Sequence, residues 1–229
     1  MTLVQHLEDL RRALIIASGA WLAAVVGTWF VSAETLRLIV QRSGLSHLVY
    51  LQPTGAFTLR LEIAVCTGTL IASPVIFWQL WWFVSPGLYR DERRVVLPLV
   101  AATTAFFLLG VAVCFFALPL IIHVLSGFAP AGVLQFLPSG DEFLGFLLGL
   151  CLAFGLVFQL PVVLWTLGML GLVSSAWLWS NRFYWVSGLA LLANFMTPGG
   201  DPLVSPLVVF VPLLLFYLGV TLLLRLTGR

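Results

Sequence analysis

Nine Asp and Glu residues serve this chain of 229, and two adjacent carboxylate pairs stand close to paired arginines: Glu8-Asp9 before Arg11-Arg12, and Asp91-Glu92 before Arg93-Arg94. Carboxylates in such pairs work as general acids and bases, as cation ligands, or as bidentate acceptors for a guanidinium. The sequence supplies no catalytic company for them: it has no HExxH, no GxSxG, no phosphate-binding glycine loop and no aspartate pair within an apolar run. His123 and Ser126 share a helix face, with no oxyanion donor implied. Cys66, Cys114 and Cys151 lie in apolar runs without CxxC spacing, so neither a disulfide nor a zinc or other metal site is expected. Two readings of the acidic pairs remain. In the structural one, each sits at the positive end of a helix, and Glu8 pairs with Arg12 at i,i+4. In the functional one, two separated carboxylate sites bind a cationic partner, and a diarginine peptide fits that chemistry.

The elements that must hold these groups are membrane spans. Hydrophobic residues make up 61% of the chain and charged residues only 9%, and no lysine is present. Uncharged runs cover residues 13–33, 63–89, 95–122, 143–181, 183–200 and 202–224, each long enough for a spanning helix of roughly 20 residues or nearly so. The expected fold is all-α: a single integral membrane domain over 1–229, with an amphipathic interfacial helix over about 2–12 that turns into the first of six transmembrane helices. The spans are placed at about 13–33, 60–84, 95–123, 143–168, 182–197 and 203–224, the last two short. With the N-terminus inside, eight arginines are cytoplasmic, and three (Arg37, Arg42 and Arg60) are external, which favours N-in and C-in. The net charge of +2 reflects that bias and implies no nucleic-acid partner. Val31-Ser32-Ala33 resembles a signal-peptidase site, but the apolar run before it is about eighteen residues, longer than a signal peptide's core, so a retained span is expected.

Between the spans, residues 34–58 and 126–142 read as external loops, the first with room for a short helix. Trp78, Trp81, Trp82 and Phe83 form an interfacial aromatic belt before the turn Ser85-Pro86-Gly87, and Trp177 and Trp179 repeat it. Ser174 or Ser175 is expected to cap a short helix there. Pro74 and Pro161 mark bends. Gln159 is the most polar side chain deep in a span and needs a neighbouring or partner helix to satisfy its amide. Glu62 is expected to pair locally with Arg60, to snorkel, or to line a wet cavity. Asp201 reads as a turn or cap residue.

Four stretches together resemble the TatC family, the polytopic receptor subunits of the twin-arginine protein translocase. His6-Leu7-Glu8-Asp9-Leu10-Arg11 is similar to the family's H-L-x-E-L-R, and Trp82-Phe83-Val84-Ser85-Pro86-Gly87-Leu88-Tyr89-Arg90-Asp91-Glu92-Arg93-Arg94 to its F-x-x-P-x-L-Y-x-x-E-R-R. Ser73-Pro74-Val75 and Phe158-Gln159-Leu160-Pro161 also match. The resemblance implies a concave helix assembly in the cytoplasmic (inner) membrane of a bacterium or archaeon. It implies a protein that is not an enzyme and uses no cofactor. Its role would be to bind twin-arginine signal peptides of folded precursors at the cytoplasmic face and support export on the proton-motive force. By motif position Glu92 is the main acidic contact, Phe83 shapes its surroundings, Asp9 fills the second acidic slot with Glu8 as the adjacent alternative, and Leu10 and Arg11 complete the N-terminal element. Self-association and contacts with the single-span TatA and TatB subunits are implied too, the latter through Gln159 and the fifth and sixth helices near Met196 and Thr197. Two departures stand out: Asp9 is one methylene shorter than the family's usual glutamate, and Gln159, where glutamate is common, cannot ionise. The competing reading is a small-solute secondary transporter, which would use Gln159 and the two proline bends.

Overall fold

The computed structural model of the chain describes residues 3–45, 48–84, 96–128, 138–196 and 205–228. These residues are almost wholly helical. In order they form α1 (Leu3–Trp29), α2 (Ser32–Ser43), α3 (Gly55–Val84), α4 (Val96–Gly127), α5 (Gly140–Val157), α6 (Leu160–Met169), α7 (Ser175–Ser180), α8 (Arg182–Met196), a π-helical turn at Ser205–Phe210, and α9 (Val211–Leu226). Five stretches are long and apolar enough to cross a membrane: Gln5–Trp29, Gly55–Phe83, Val96–Gly127, Gly140–Met169 and Val208–Leu226. The span expected over 182–197 corresponds to α8, whose 15 residues reach roughly 22 Å at about 1.5 Å each, short of a bilayer core of about 30 Å.

One expectation fails in α1. The sequence reading puts a turn between an interfacial helix and the first span near residue 12, but α1 runs unbroken for 27 residues. No proline interrupts it, and its two glycines lie later, at Gly19 and Gly27, so nothing in its first turns opposes the helix.

The chain divides into two compact units. The first comprises Met1–Gln41, Leu45–Leu108 and Pro138–Leu148. Its frame is the antiparallel pairing of α1 with α3. Trp21 Nε1 donates to Thr69 Oγ1 at 2.8 Å, and Thr28 Oγ1 donates to the Ala64 carbonyl at 2.7 Å. Between these bonds Gly68 lets the backbones close: a Cβ there would lie 2.8 Å from the Val25 backbone. Small residues at a helix crossing and hydrogen bonds across it are the two means of holding helices together in lipid. At the far end of the pair, Arg60 Nε donates to Ser32 Oγ at 3.1 Å, and its guanidinium lies 5.1 Å from the centre of the Trp29 ring. The link from α2 to α3 is clasped to the start of α5, where Val49 N donates to the Pro138 carbonyl at 3.4 Å and Gly140 N to the Val49 carbonyl at 2.7 Å.

The second unit comprises Arg42–Gly44, Leu109–Leu137 and Gly149–Arg229. In it α4 and α5 touch at Gly110, where a Cβ would meet the Phe154 carbonyl oxygen at 2.6 Å. Nearby, the buried Cys114 and Cys151 thiols lie 3.4 Å apart. The expected bend at Pro161 is a break: α5 ends at Val157, Gln159 stands at the N-terminal boundary of α6 without a side-chain cap, and Pro161 occupies the first turn, where a missing N–H costs least. Ser174 caps α7 by accepting from Trp177 N at 3.1 Å, as the sequence anticipates. Tyr217 of α9 donates to the Leu178 carbonyl at 2.7 Å and stacks on Trp185, tying α7, α8 and α9 together.

Gly68→Leu is expected to destabilise the purified protein by about 1–3 kcal/mol through overpacking of the α1–α3 seam. Thr28→Val should cost less, about 0.6 kcal/mol, as one interhelix bond is lost. Thermal denaturation in one detergent checks the order, and an equal or inverted ranking contradicts it. A mild oxidant should join Cys114 to Cys151 and leave Cys66 alkylatable, read by peptide mass spectrometry under non-reducing conditions.

Candidate functional site

The last turns of α3 carry the aromatic belt, and two contacts fix where it sits. Trp81 Nε1 donates to Thr103 Oγ1 at 2.9 Å, and that hydroxyl donates to the Leu99 carbonyl at 2.7 Å, so α3 ends against the first turns of α4. One turn earlier the Phe77 ring meets Phe107 edge-on, with centroids 5.4 Å apart. On the other side, the His6 imidazole of α1 stacks on Phe83, with centroids 4.4 Å apart and planes 21° apart. The start of the chain is therefore held at the residue from which α3 leads into 85–95.

Helix geometry then sorts the neighbouring groups. Asp9 and Leu10, three and four residues after His6, share its face of α1 and are half-buried, whereas Glu8, Arg11 and Arg12 are exposed. The structural account of the acidic pair loses both its supports. Glu8 and Asp9 fall in the second turn of α1, past the first turn where the helix dipole acts. The pair Glu8–Arg12 is not formed, and the ion pair found among the described residues is Arg37–Glu34 at 2.6 Å. Sequence reasoning named Phe83, Asp9 and Leu10 but gave His6 no role of its own; the signal was an aromatic ring one helical turn before Asp9 and Leu10. Glu92, Thr197 and Asp201 lie outside the described residues.

Residues 5–212 match the family model described as Sec-independent protein translocase protein (TatC). The chain belongs to the TatC family. The TatC of Carboxydothermus hydrogenoformans is 34% identical over 228 residues, spanning 95% of this chain and 90% of that protein. A chloroplastic relative from Oryza sativa subsp. japonica is 35% identical over 232 residues, 100% of this chain and 64% of its own length. The crystal structure of a twin arginine translocase receptor, TatC, matches with a TM-score of 0.74 at 30% identity, covering 98% of this chain and 100% of that one. As a TatC protein the chain is a multi-pass membrane component of a protein translocase, which displaces the small-solute transporter reading.

The other polar positions of this TatC chain fall into place less uniformly. Gln159 Nε2 donates back to the Gly155 carbonyl at 3.3 Å, across the break between α5 and α6. Met196, expected beside it at a partner contact, is 9% exposed and belongs to the packed interior of the second unit. The local pair of Glu62 with Arg60 is not formed. Residues two apart on a helix point to different sides, and Arg60 turns to Ser32 and Trp29 instead. Glu62 Oε2 and Asp141 Oδ1 are buried with no hydrogen-bond partner among the described residues.

Phe83→Ala should release the start of α1. An aromatic pair is worth about 0.5–1.5 kcal/mol beyond its buried area, so amide exchange over residues 5–10 should quicken by about twofold to tenfold, with residues 60–72 unchanged. Unaltered exchange at 5–10 would show that the stack does not anchor the helix.

Proposed function

We propose that this chain is the receptor core of a twin-arginine protein translocase, binding signal peptides that carry paired arginines where the start of α1 meets the end of α3. The observation that carries this reading is the His6–Phe83 stack. It holds Asp9, a half-buried carboxylate with no ion pair among the described residues, at the helix end that continues into the segment bearing Glu92. Two carboxylates from separate parts of the chain suit two guanidinium groups, since each accepts a bidentate pair of N–H donors. Partial burial beside aromatic rings raises the strength of such contacts over a solvated ion pair. Asp9 is favoured over Glu8 for the N-terminal role because it shares the His6 face, and its shorter side chain is offset by that placement. Leu10 and Arg11 frame the contact, and Phe83 anchors the helix that bears Asp9.

The orientation that supports this role is N-in and C-in across six helices of the cytoplasmic membrane, with α8 as the short fifth crossing. The chain's eight-to-three arginine bias supports the orientation, and the name of the matched crystal structure, a twin arginine translocase receptor, supports the role. TatA and TatB are the proposed single-span partners, meeting the bundle at Gln159. Transport draws on the proton-motive force, and because Gln159 cannot ionise, its part is hydrogen bonding and packing.

A photo-crosslinking twin-arginine signal peptide should label the chain in membranes. Labelling should fall at least tenfold for Glu92→Ala and for a peptide with lysines in place of its arginines, because lysine loses the bidentate geometry. Undiminished labelling in both cases would remove the receptor assignment. Gln159→Leu should weaken co-purification of the single-span subunits and leave peptide labelling intact; loss of labelling alone would contradict this division of roles.

A further inference from the structure

The opposite end of the first unit holds a cavity of about 460 Å³, within the range of about 300–1,000 Å³ common for small-ligand sites. Leu36 and Val40 of α2, Leu59 of α3 and Tyr50 of the linking segment line it, together with the side chains of Arg37 and Arg60. Its walls are mostly hydrocarbon, so the two guanidinium groups set its chemistry. Arg60 is half-buried, with only Ser32 Oγ and the Trp29 ring as partners, and no carboxylate neutralises it among the described residues. A charge removed from water without a counter-ion is costly, and five N–H donors leave room for an oxyanion. Arg37 pairs with Glu34, but both side chains are about 70% exposed, so that pair is weak and yields readily to an anion.

The surroundings select the kind of anion. The cavity lies between α2, the segment around Tyr50 and the start of α3. Phe57, one turn before Arg60 on α3, is 60% exposed. α2 itself is amphipathic, with Ile39 buried and Glu34, Arg37 and Gln41 exposed, the last two lining the open cavity. A soluble anion would meet the guanidinium groups and leave the hydrocarbon walls wet. A neutral lipid would fill the walls and leave Arg60 uncompensated. We propose that this cavity binds one anionic phospholipid, its phosphate held by Arg60 and Arg37 and one acyl chain lying along Leu36, Val40 and Leu59. In the N-in orientation this lipid belongs to the outer leaflet, at the face away from the signal-peptide site.

The full chain, purified in a neutral maltoside detergent, tests the proposal by thermal shift and native mass spectrometry. Phosphatidylglycerol should raise the melting temperature and persist as a one-to-one adduct, while phosphatidylcholine and glycerol 3-phosphate should do neither. Arg60→Gln should weaken phosphatidylglycerol binding about fivefold, the scale of one basic residue near an anionic lipid surface, and Arg60→Lys should restore most of it. If Arg60→Gln fails to fold, the exposed Arg37→Glu serves in its place and should weaken binding by at least as much. Equal stabilisation by phosphatidylcholine, an equal response to glycerol 3-phosphate, or phosphatidylglycerol binding unchanged in the folded arginine variants each overturns the assignment.

Discussion

A polar group in hydrocarbon has no water to fall back on, and the α1–α3 seam is where this chain meets that constraint most directly. Trp21, Thr28, Ala64 and Thr69 exchange hydrogen bonds across the seam, and Gly68 brings the backbones close enough for them to form. Because the two helices run antiparallel, one register fixes both of their ends. At one end it brings His6 onto Phe83; at the other it brings Ser32 and Trp29 onto Arg60. The proposed peptide site and the proposed lipid site are thus two ends of a single helix pair.

The second unit is organised by shape more than by polar bonds. Gly110 and Gly168 are points where a side chain would strike a neighbour, Phe154 in one case and Leu224 in the other. Aromatic rings fill the rest: Phe158 meets Phe216, and Trp185 lies between Trp177 and Tyr217. The Tyr217 hydroxyl takes its acceptor from α7, and Trp177 of that short helix meets Trp185 edge-on, so one bond and one ring contact fix it. The break at Gln159 and Pro212 in the first turn of α9 sit in this unit, where surrounding helices can satisfy the carbonyls that a broken helix releases.

The sequence disclosed what depends on composition and on short-range rules. Apolar runs marked the five stretches long and apolar enough to cross a membrane, and Ser174 announced its cap. What it hid depends on register between distant segments. Arg60 was read with Glu62 because they are neighbours in the chain, although helix geometry sends them to different sides and Ser32 lies 28 positions away. Cys114 and Cys151 meet across 37 positions with no spacing rule to foretell it. The turn expected near residue 12 came from treating amphipathic and apolar stretches as separate helices, whereas the backbone has no reason to stop at a change of polarity.

The bond from the Gln159 amide to the Gly155 carbonyl bears on how this subunit meets others. Its amide nitrogen is engaged within its own chain, so the fold has already ordered this side chain across the break between α5 and α6. The conformational cost of fixing it falls on folding, not on any later contact.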